Sequence, residues 1–331
     1  MIHLKATLAP QTAFATPLHG DTLFGQLCWT IRHGWGEARL VELLEGYIEG
    51  RPFLVVSDAF PLAHLPLPAL PSRAWDGLPA DPRKRKAIKR RVWVPETLLD
   101  QPLESWQRQA HDEAGAAGSL GLKGGKITAS QPQPRNSLNR LTLATGKGDG
   151  FSPYSVRQHW FAPGVLVDVH LRLDEGRFPR ADLQAALAAI GAAGYGKDAN
   201  VGLGKFILEA LADHPLPVCT DPDAWLSLAN CAPQGLGFDA ARSFYRPFTR
   251  YGRHGDEAAR RESPFKSPLL LAAAGAVFAA PAEVDWAHGF IGQGLGGNGS
   301  ISRTLPATVH QAYAPALPVR LPAALRQAEA A

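Results

Sequence analysis

Apolar residues alternate at the start of the chain: Ile2, Leu4, Ala6 and Leu8 against His3, Lys5 and Thr7. A period of two predicts a half-buried strand. After Pro10, Pro17 and Gly20 the period changes. Leu23, Phe24, Leu27 and Ile31 form one stripe of a helix, which Asp21 is placed to N-cap and Gly34 and Gly36 to end. Leu40, Leu43, Leu44 and Tyr47 predict a second amphipathic helix over 37–48. Residues 53–56 read as a short buried strand.

From 61 to 82 the chain is proline-rich and irregular. Residues 115–150 are rich in Gly, Ser, Lys and Asn, with polar strand-like pieces at 126–129 and 138–143, and they predict a projecting hairpin or arm. Val165, Val167, Val169, Leu171 and Leu173 alternate with Asp168, His170 and Arg172, the clearest strand in the sequence. Leu183, Leu187 and Ile190 mark a helix over 181–190, a glycine-rich stretch follows, and 206–211 completes another strand. Without 61–160 the order is βαββαβ, that of a ferredoxin-like or RRM-like unit. Residues 214–331 repeat the layout less clearly, with strand candidates at 225–229 and 269–278, the second open to a helical reading. The expected fold is α+β: two ferredoxin-like domains, 1–213 and 214–331, with 61–160 inserted in the first and carrying a thumb β-hairpin.

Composition narrows the class. Apolar residues make up 45% of 331, enough to bury large cores. Lys and Arg exceed Asp and Glu by only 34 to 30, so overall charge names no partner. Cys28, Cys219 and Cys231 form no CxxC pair, as expected of reduced thiols in a cytoplasmic protein. No signal-peptide pattern opens the chain, and the longest apolar run, 268–281, is too short to cross a bilayer. No membrane association is expected.

Charge is clustered locally. Arg83, Lys84, Arg85, Lys86, Lys89, Arg90 and Arg91 place seven cations in nine positions. Such a run is either a solvated face or a site that a polyanion neutralises, with Trp93 beyond it able to stack on a base. The polar arm offers Arg135, Asn136, Asn139, Arg140, Lys147 and Tyr154, donors for phosphates and base edges, and is otherwise a plain surface loop. Gly292, Gly294 and Gly297 spell GxGxxG within 290–300. No strand of branched residues leads into them, no helix pattern follows before Pro306, and no acidic residue stands about 20 positions on, so a dinucleotide site is rejected. A loop whose backbone can approach phosphates remains, with Arg303 nearby; the alternative is a structural turn. No HExxH, paired metal spacing or GxSxG occurs. A ribonuclease site built from His19, Tyr195 and Lys197 is possible in composition only. No catalytic residue, metal or cofactor is expected.

These patches together resemble a known family. Asp21–Trp29 is similar to the first helix, and 53–61 to the second strand, of the fourth Csm subunit of type III-A CRISPR effector complexes, a RAMP protein of the group that caps guide-RNA 5′ ends. Residues 135–142 with 151–154 resemble the N-x-x-N-R-x-T arm of RAMP proteins; 194–206 and 292–299 resemble the family's two glycine loops. The resemblance implies two ferredoxin-like RAMP domains and a thumb around 123–154 that pushes into the guide–target duplex. It implies a non-catalytic, antiviral ribonucleoprotein subunit that binds the CRISPR RNA 5′ handle and lies near target RNA. Its implied partners are the large polymerase-cyclase subunit and the repeating backbone RAMP subunit. The carried-over RNA contacts are His19, Lys123, Lys126, Arg135, Asn136, Asn139, Arg140, Lys147, Tyr154, Lys197, Gly202, Gly204, Gly292, Gln293, Gly294, Gly296, Gly297, Asn298 and Arg303. The family gives the basic run 83–91 no definite role. The rival reading is a RAMP endoribonuclease that processes CRISPR precursor RNA.

Overall fold

The first alternating run is strand β1 (Ile2–Pro10), in a computed structural model that describes residues 1–146, 152–215, 219–281 and 283–326. Its apolar side chains Leu4, Ala6 and Leu8 are fully buried beneath Leu23, Phe24, Leu27 and Ile31 of helix α1 (Gly20–Trp35). Each such buried leucine or phenylalanine contributes about 2 kcal/mol. The helix does not begin as the sequence predicts. His19, not Asp21, is the N-cap residue, and its side chain makes no capping bond. The Gly20 N–H instead donates to Asp58 Oδ1 at 2.8 Å, a cap supplied from a distant strand. A Cβ on Gly20 would lie 2.2 Å from the Val56 carbonyl oxygen, so only glycine lets the helix start this close to that strand. Asp21 then falls inside the first turn. Helix α2 (Glu37–Leu44) stops short of the expected 48, where the Arg177 guanidinium takes up the carbonyls of Leu43 and Glu45 at 2.7 and 2.9 Å.

Strand β2 (Leu54–Pro61) is followed by β3 (His64–Pro66), α3 (Pro82–Ile88), β4 (Trp93–Pro95), α4 (Trp106–Gln109) and α5 (Glu113–Ser119). Next come β5 (Thr128–Arg135) and β6 (Tyr154–Phe161), which form a two-stranded ribbon from Thr128↔Phe161 to Arg135↔Tyr154, with His159 of β6 also bridged to Phe14. The expected strand at 138–143 is absent. Asn139 Oδ1 accepts the N–H groups of Leu141 and Thr142 at 2.9 and 3.3 Å, and Leu143 has φ 53°, so this stretch is a side-chain-stabilised turn. Strand β5 instead runs through Pro132 and Pro134, which a ribbon with one free edge tolerates.

Strand β7 (Val167–Leu173), helix α6 (Arg180–Ala193) and strand β8 (Phe206–Asp213) complete an antiparallel four-stranded sheet of order β2-β7-β1-β8. Helices α1 and α6 fill one face of it. All seven residues of β7 are buried, including Asp168, His170 and Arg172 on the other face. That polar face is therefore covered and not open to bases.

The remaining strands are β9 (Ala224–Ser227), β10 (Asp239–Phe244), β11 (Pro247–Arg250), β12 (Leu269–Ala272), β13 (Val277–Ala279), β14 (Phe290–Gly296) and β15 (Val309–Val319), followed by α7 (Ala323–Arg326). Residues 269–278 are two strands separated by a turn, not a helix. Five strands form a sheet of order β10-β13-β9-β15-β14. Among the described residues after 213, one-turn α7 is the only α-helix, so the helices that a ferredoxin-like unit needs are missing from this half. Something else covers the sheet. Leu226, Leu228, Val277, Leu317 and Val319 bury one face against Leu65, Trp75, Leu98, Leu103 and Trp106 of the irregular 61–111 segment. Trp225, Phe278 and Ala316 alternate to the opposite face, beside Phe238 and Trp286. The segment that looked like a loose insertion is thus the missing layer of the C-terminal sheet.

The two halves are also hydrogen-bonded. The Gln311 side-chain amide accepts from Val56 N–H at 2.9 Å and donates to Val56 O at 2.8 Å, and the Tyr313 hydroxyl donates to Tyr47 O at 2.7 Å. Among the described residues, no helix is long and apolar enough to cross a membrane.

Candidate nucleic-acid interface

The start of α1 is a junction of both halves. His19 Nδ1 lies 3.1 Å from Asp58 Oδ2, and its ring centroid is 5.6 Å from that of Phe248. Burial works against a charged imidazole here, but the hydrogen bond and charge of Asp58 outweigh it and hold the His19 pKa above the ordinary value. Asp21 is buried and held by Arg250, whose Nε donates to Asp21 Oδ2 at 2.6 Å and whose second nitrogen reaches Asp21 Oδ1 and Thr22 Oγ1. Burial would raise the Asp21 pKa; Arg250 and the nearby His310 more than offset it, and the carboxyl sits below its ordinary value. Burial pushes His310 down to about 4, so it is neutral beside the ion pair.

The Tyr195 hydroxyl donates to Pro17 O at 2.8 Å and accepts from His19 N–H at 3.2 Å. Its ring is fully buried, and burial drives the phenol far above 10. The Tyr195 phenol is thus committed to holding the loop ahead of α1.

Most of the expected glycine contacts prove to be packing positions. A Cβ on Gly204 would sit 2.1 Å from Tyr195 O. The same atom on Gly292, Gly294 or Gly296 would sit 2.2 Å from Ala312 O, 2.6 Å from Tyr47 O or 2.2 Å from Thr308 O. Residues 290–296 are not a loop but β14, paired with β15 along its whole length. Gly292 and Gly296 let the β15 backbone approach, and Gly294 the backbone of Tyr47. Gln293 Nε2 donates to Gln234 O at 2.9 Å, and Asn298 Oδ1 accepts Ser300 N–H and Oγ–H at 3.1 and 2.6 Å, so one polar atom of each amide is engaged within the fold. Gly297 is exposed, and Gly202 has open space around its Cα.

The structure brings His19, Lys197 and Arg135 into one region. Lys197 N–H donates to Thr16 Oγ1 at 3.0 Å just ahead of His19, and Arg135 pairs with Asp198 at 2.9 Å, fastening the end of β5 to the same loop. Arg135 is therefore partly neutralised, and Asn139 is spent on its own turn. Lys123, Lys126, Asn136, Arg140, Tyr154, Lys197 and Arg303 are exposed, while Lys147 lies outside the described residues. Leu138, Leu141 and Leu143 at the ribbon's end are also exposed. The basic run begins in α3, N-capped by Asp81, whose side chain accepts from Arg83 N–H at 2.8 Å; Lys89, Arg90 and Arg91 lie beyond the helix, and Arg91 is half-buried and donates to Arg108 O.

One surface was overlooked in the sequence although its signal was present. Between 244 and 254, aromatic residues and arginines interleave: Phe244, Tyr245, Arg246, Phe248, Arg250, Tyr251 and Arg253. Tyr245, Tyr251 and Phe265 are 53%, 77% and 68% exposed, and only Tyr245 among them stacks on a buried ring, that of Phe278. The Arg253 guanidinium lies 5.6 Å from the centre of the Phe265 ring. Exposed rings beside cations suit stacked bases and their phosphates. Elsewhere, Glu96, His170 and His214 are the one group of His, Cys and carboxylate side chains among the described residues close enough to share a metal ion.

These features define a mixed α/β chain, joined across its halves, whose exposed cations and rings suit a nucleic-acid strand better than an enclosed small-molecule site. No protein-family model matches the chain, and no curated protein matches it. Solved structures do. The chain is similar to one in the crystal structure of a Csm1-Csm4 cassette in complex with pppApA, at TM-score 0.59 and 16% identity, covering 97% of this chain and 99% of that one. It is similar to one in a Csm3-Csm4 subcomplex of the type III-A CRISPR-Cas interference complex, at TM-score 0.56 and 14% identity, covering 97% and 99%. Csm4 is the component these two assemblies share, and the protein has a Csm4-like fold from end to end.

Proposed function

We propose that this protein is a non-catalytic RNA-binding subunit of a type III-A CRISPR effector complex, acting in the cytoplasm in antiviral defence. It grips the 5′ handle of CRISPR RNA, docks a large polymerase-cyclase subunit, and meets the repeating backbone subunit. The observation that carries this reading is the Csm4-like fold along 97% of the chain, in assemblies with Csm1 and with Csm3. The four-stranded unit within 1–213 is read as ferredoxin-like and the β5–β6 ribbon as the thumb, with 214–331 a helix-poor counterpart. The non-catalytic part is supported by the commitment of His19 to Asp58 and of Tyr195 to Pro17. The contacts supported best are Lys197, Arg140, Asn136, Tyr154 and Arg303, joined by Arg246, Tyr251 and Arg253.

The test is binding of the purified chain to handle-bearing and scrambled RNAs across salt concentrations. Single-strand binding loses about 0.7 in log K per phosphate contacted for each tenfold rise in salt, so about six contacts give a slope of roughly −4. Tighter binding to the handle is expected, together with an intact RNA. Equal affinity for both sequences refutes handle recognition, and site-specific cleavage refutes the non-catalytic role.

A further inference from the structure

The covered face of the four-stranded sheet holds polar groups that the RNA reading does not use. Alternation along β1 and β7 sends His3, Lys5, Asp168 and His170 to this face, and His214 follows the end of β8. The 61–111 segment lays Glu96 over them. His170 is fully buried, and its Nε2 lies 3.6 Å from Glu96 Oε1 without a hydrogen bond. His214 Nε2 approaches the same carboxylate, 3.5 Å from Oε2. One nitrogen from each imidazole and one Glu96 oxygen all lie within 4.8 Å of one another.

We propose that Glu96, His170 and His214 form a binding site for a zinc-like divalent transition metal, which clips the 61–111 segment to the sheet. A buried histidine nitrogen without a partner is costly, and aiming it at a carboxylate and a second imidazole is the arrangement a metal ion would satisfy. Ligand atoms around tetrahedral zinc, bonded at about 2.0–2.1 Å, stand about 3.3 Å apart, close to the 3.5 and 3.6 Å separations here. The N2O donor set suits zinc, cobalt or nickel and not calcium or magnesium. Three protein ligands leave a fourth position for water, and His214 is partly open to solvent, so an ion has a way in.

The surroundings fit. His170 Nδ1 lies 3.3 Å from His3 Nε2, so His3 is the positioning residue that accepts a hydrogen bond from the ring's other N–H. Burial holds the His170 pKa well below its ordinary value, which leaves a neutral imidazole able to ligate. Lys5 Nζ, 3.2 Å from Glu96 Oε2 and 3.4 Å from Asp168 Oδ2, is the competing cation. A bound ion would share the Glu96 carboxylate with Lys5, which keeps Asp168 as its second partner. The site stands independently of the RNA reading, because none of its residues lies among the proposed RNA contacts.

The experiment uses the full chain without a polyhistidine tag, stripped with chelator and titrated with Zn2+ against a chromogenic indicator, and separately with Co2+ while the visible spectrum is recorded. One Zn2+ per chain is expected, with the intense visible bands of four-coordinate cobalt. His214→Ala and Glu96→Gln should each weaken binding at least about 10-fold, and His3→Ala by about 10–100-fold. His33→Ala, at an exposed histidine on α1, should leave binding unchanged. Melting curves identify any variant that fails to fold, and the wild-type stoichiometry and cobalt spectrum decide the matter without it. No stoichiometric Zn2+ in the wild type, an octahedral cobalt spectrum, or equal affinity in folded His214→Ala overturns the site.

Discussion

Replacing Gly294 with alanine separates two meanings of the glycine-rich stretch 289–299. If the glycine exists to admit a phosphate, the substitution weakens RNA binding and leaves stability alone. The geometry predicts the reverse. The new methyl would lie 2.6 Å from Tyr47 O and 2.8 Å from Tyr47 Cδ1, both buried, and backbone cannot swing aside as a surface side chain can. Overpacking of this kind costs about 1–3 kcal/mol. Moving the Tyr47 carbonyl also disturbs the 2.7 Å bond it accepts from the Tyr313 hydroxyl, worth about 1 kcal/mol. The expected loss is roughly 2–4 kcal/mol. With a urea m-value of about 3 kcal/mol/M, the unfolding midpoint falls by roughly 1 M. Gly202→Ala is the comparison, because nothing lies within 4 Å of a Cβ there and only its φ of 92° resists the change, which costs about 1 kcal/mol. Equilibrium urea unfolding, followed by fluorescence, reads both variants. An unchanged Gly294→Ala midpoint with reduced RNA affinity would refute the packing argument.

Arg250→Ala leaves Asp21 buried without its cation and should cost about 3–5 kcal/mol, most of it recovered when Asp21→Asn is added; additive losses in the double variant would show that the two do not act as a pair. Acidification should also destabilise the fold. The pKa of His310 is lowered to about 4 in the folded chain, so its contribution is complete above its unfolded value near 6.5 and fades as pH falls. Between pH 6.5 and 4.5 the His310 share of this loss reaches roughly 2 kcal/mol, and a His310→Gln variant should lose that much less in the same unfolding assay, the remainder coming from His3 and His170, whose pKa values burial also lowers. Asp21, with a lowered pKa, loses its contribution only below about pH 4, outside that window.

What the sequence disclosed was what depends on neighbours in the chain. The alternation of Ile2 to Leu8, the stripe from Leu23 to Ile31 and the run from Val167 to Leu173 each became the element their period predicts. Strand β5 was hidden because Pro132 and Pro134 argue against a strand, and only the fact that it has a single partner permits them. Asp21 looked like a cap because the arginine that claims it lies 229 residues away. The packing role of the β14 glycines was hidden for a different reason: a glycine that admits a phosphate and one that admits another stretch of backbone leave the same trace in sequence. The Arg/aromatic interleaving of 244–254 was legible without any structure. Glu96, His170 and His214 were not, since no spacing rule joins residues brought together from three separate elements.

The shared layer between Leu65 and Trp106 has a consequence for synthesis. On the ribosome those side chains emerge well before Leu226, Val277 and Leu317, which will bury them. The nascent chain must carry greasy, unpaired residues until its last strand, β15, arrives. A chain cut at 213 would keep that surface bare permanently, so a fragment ending there should be bound by chaperones or precipitate.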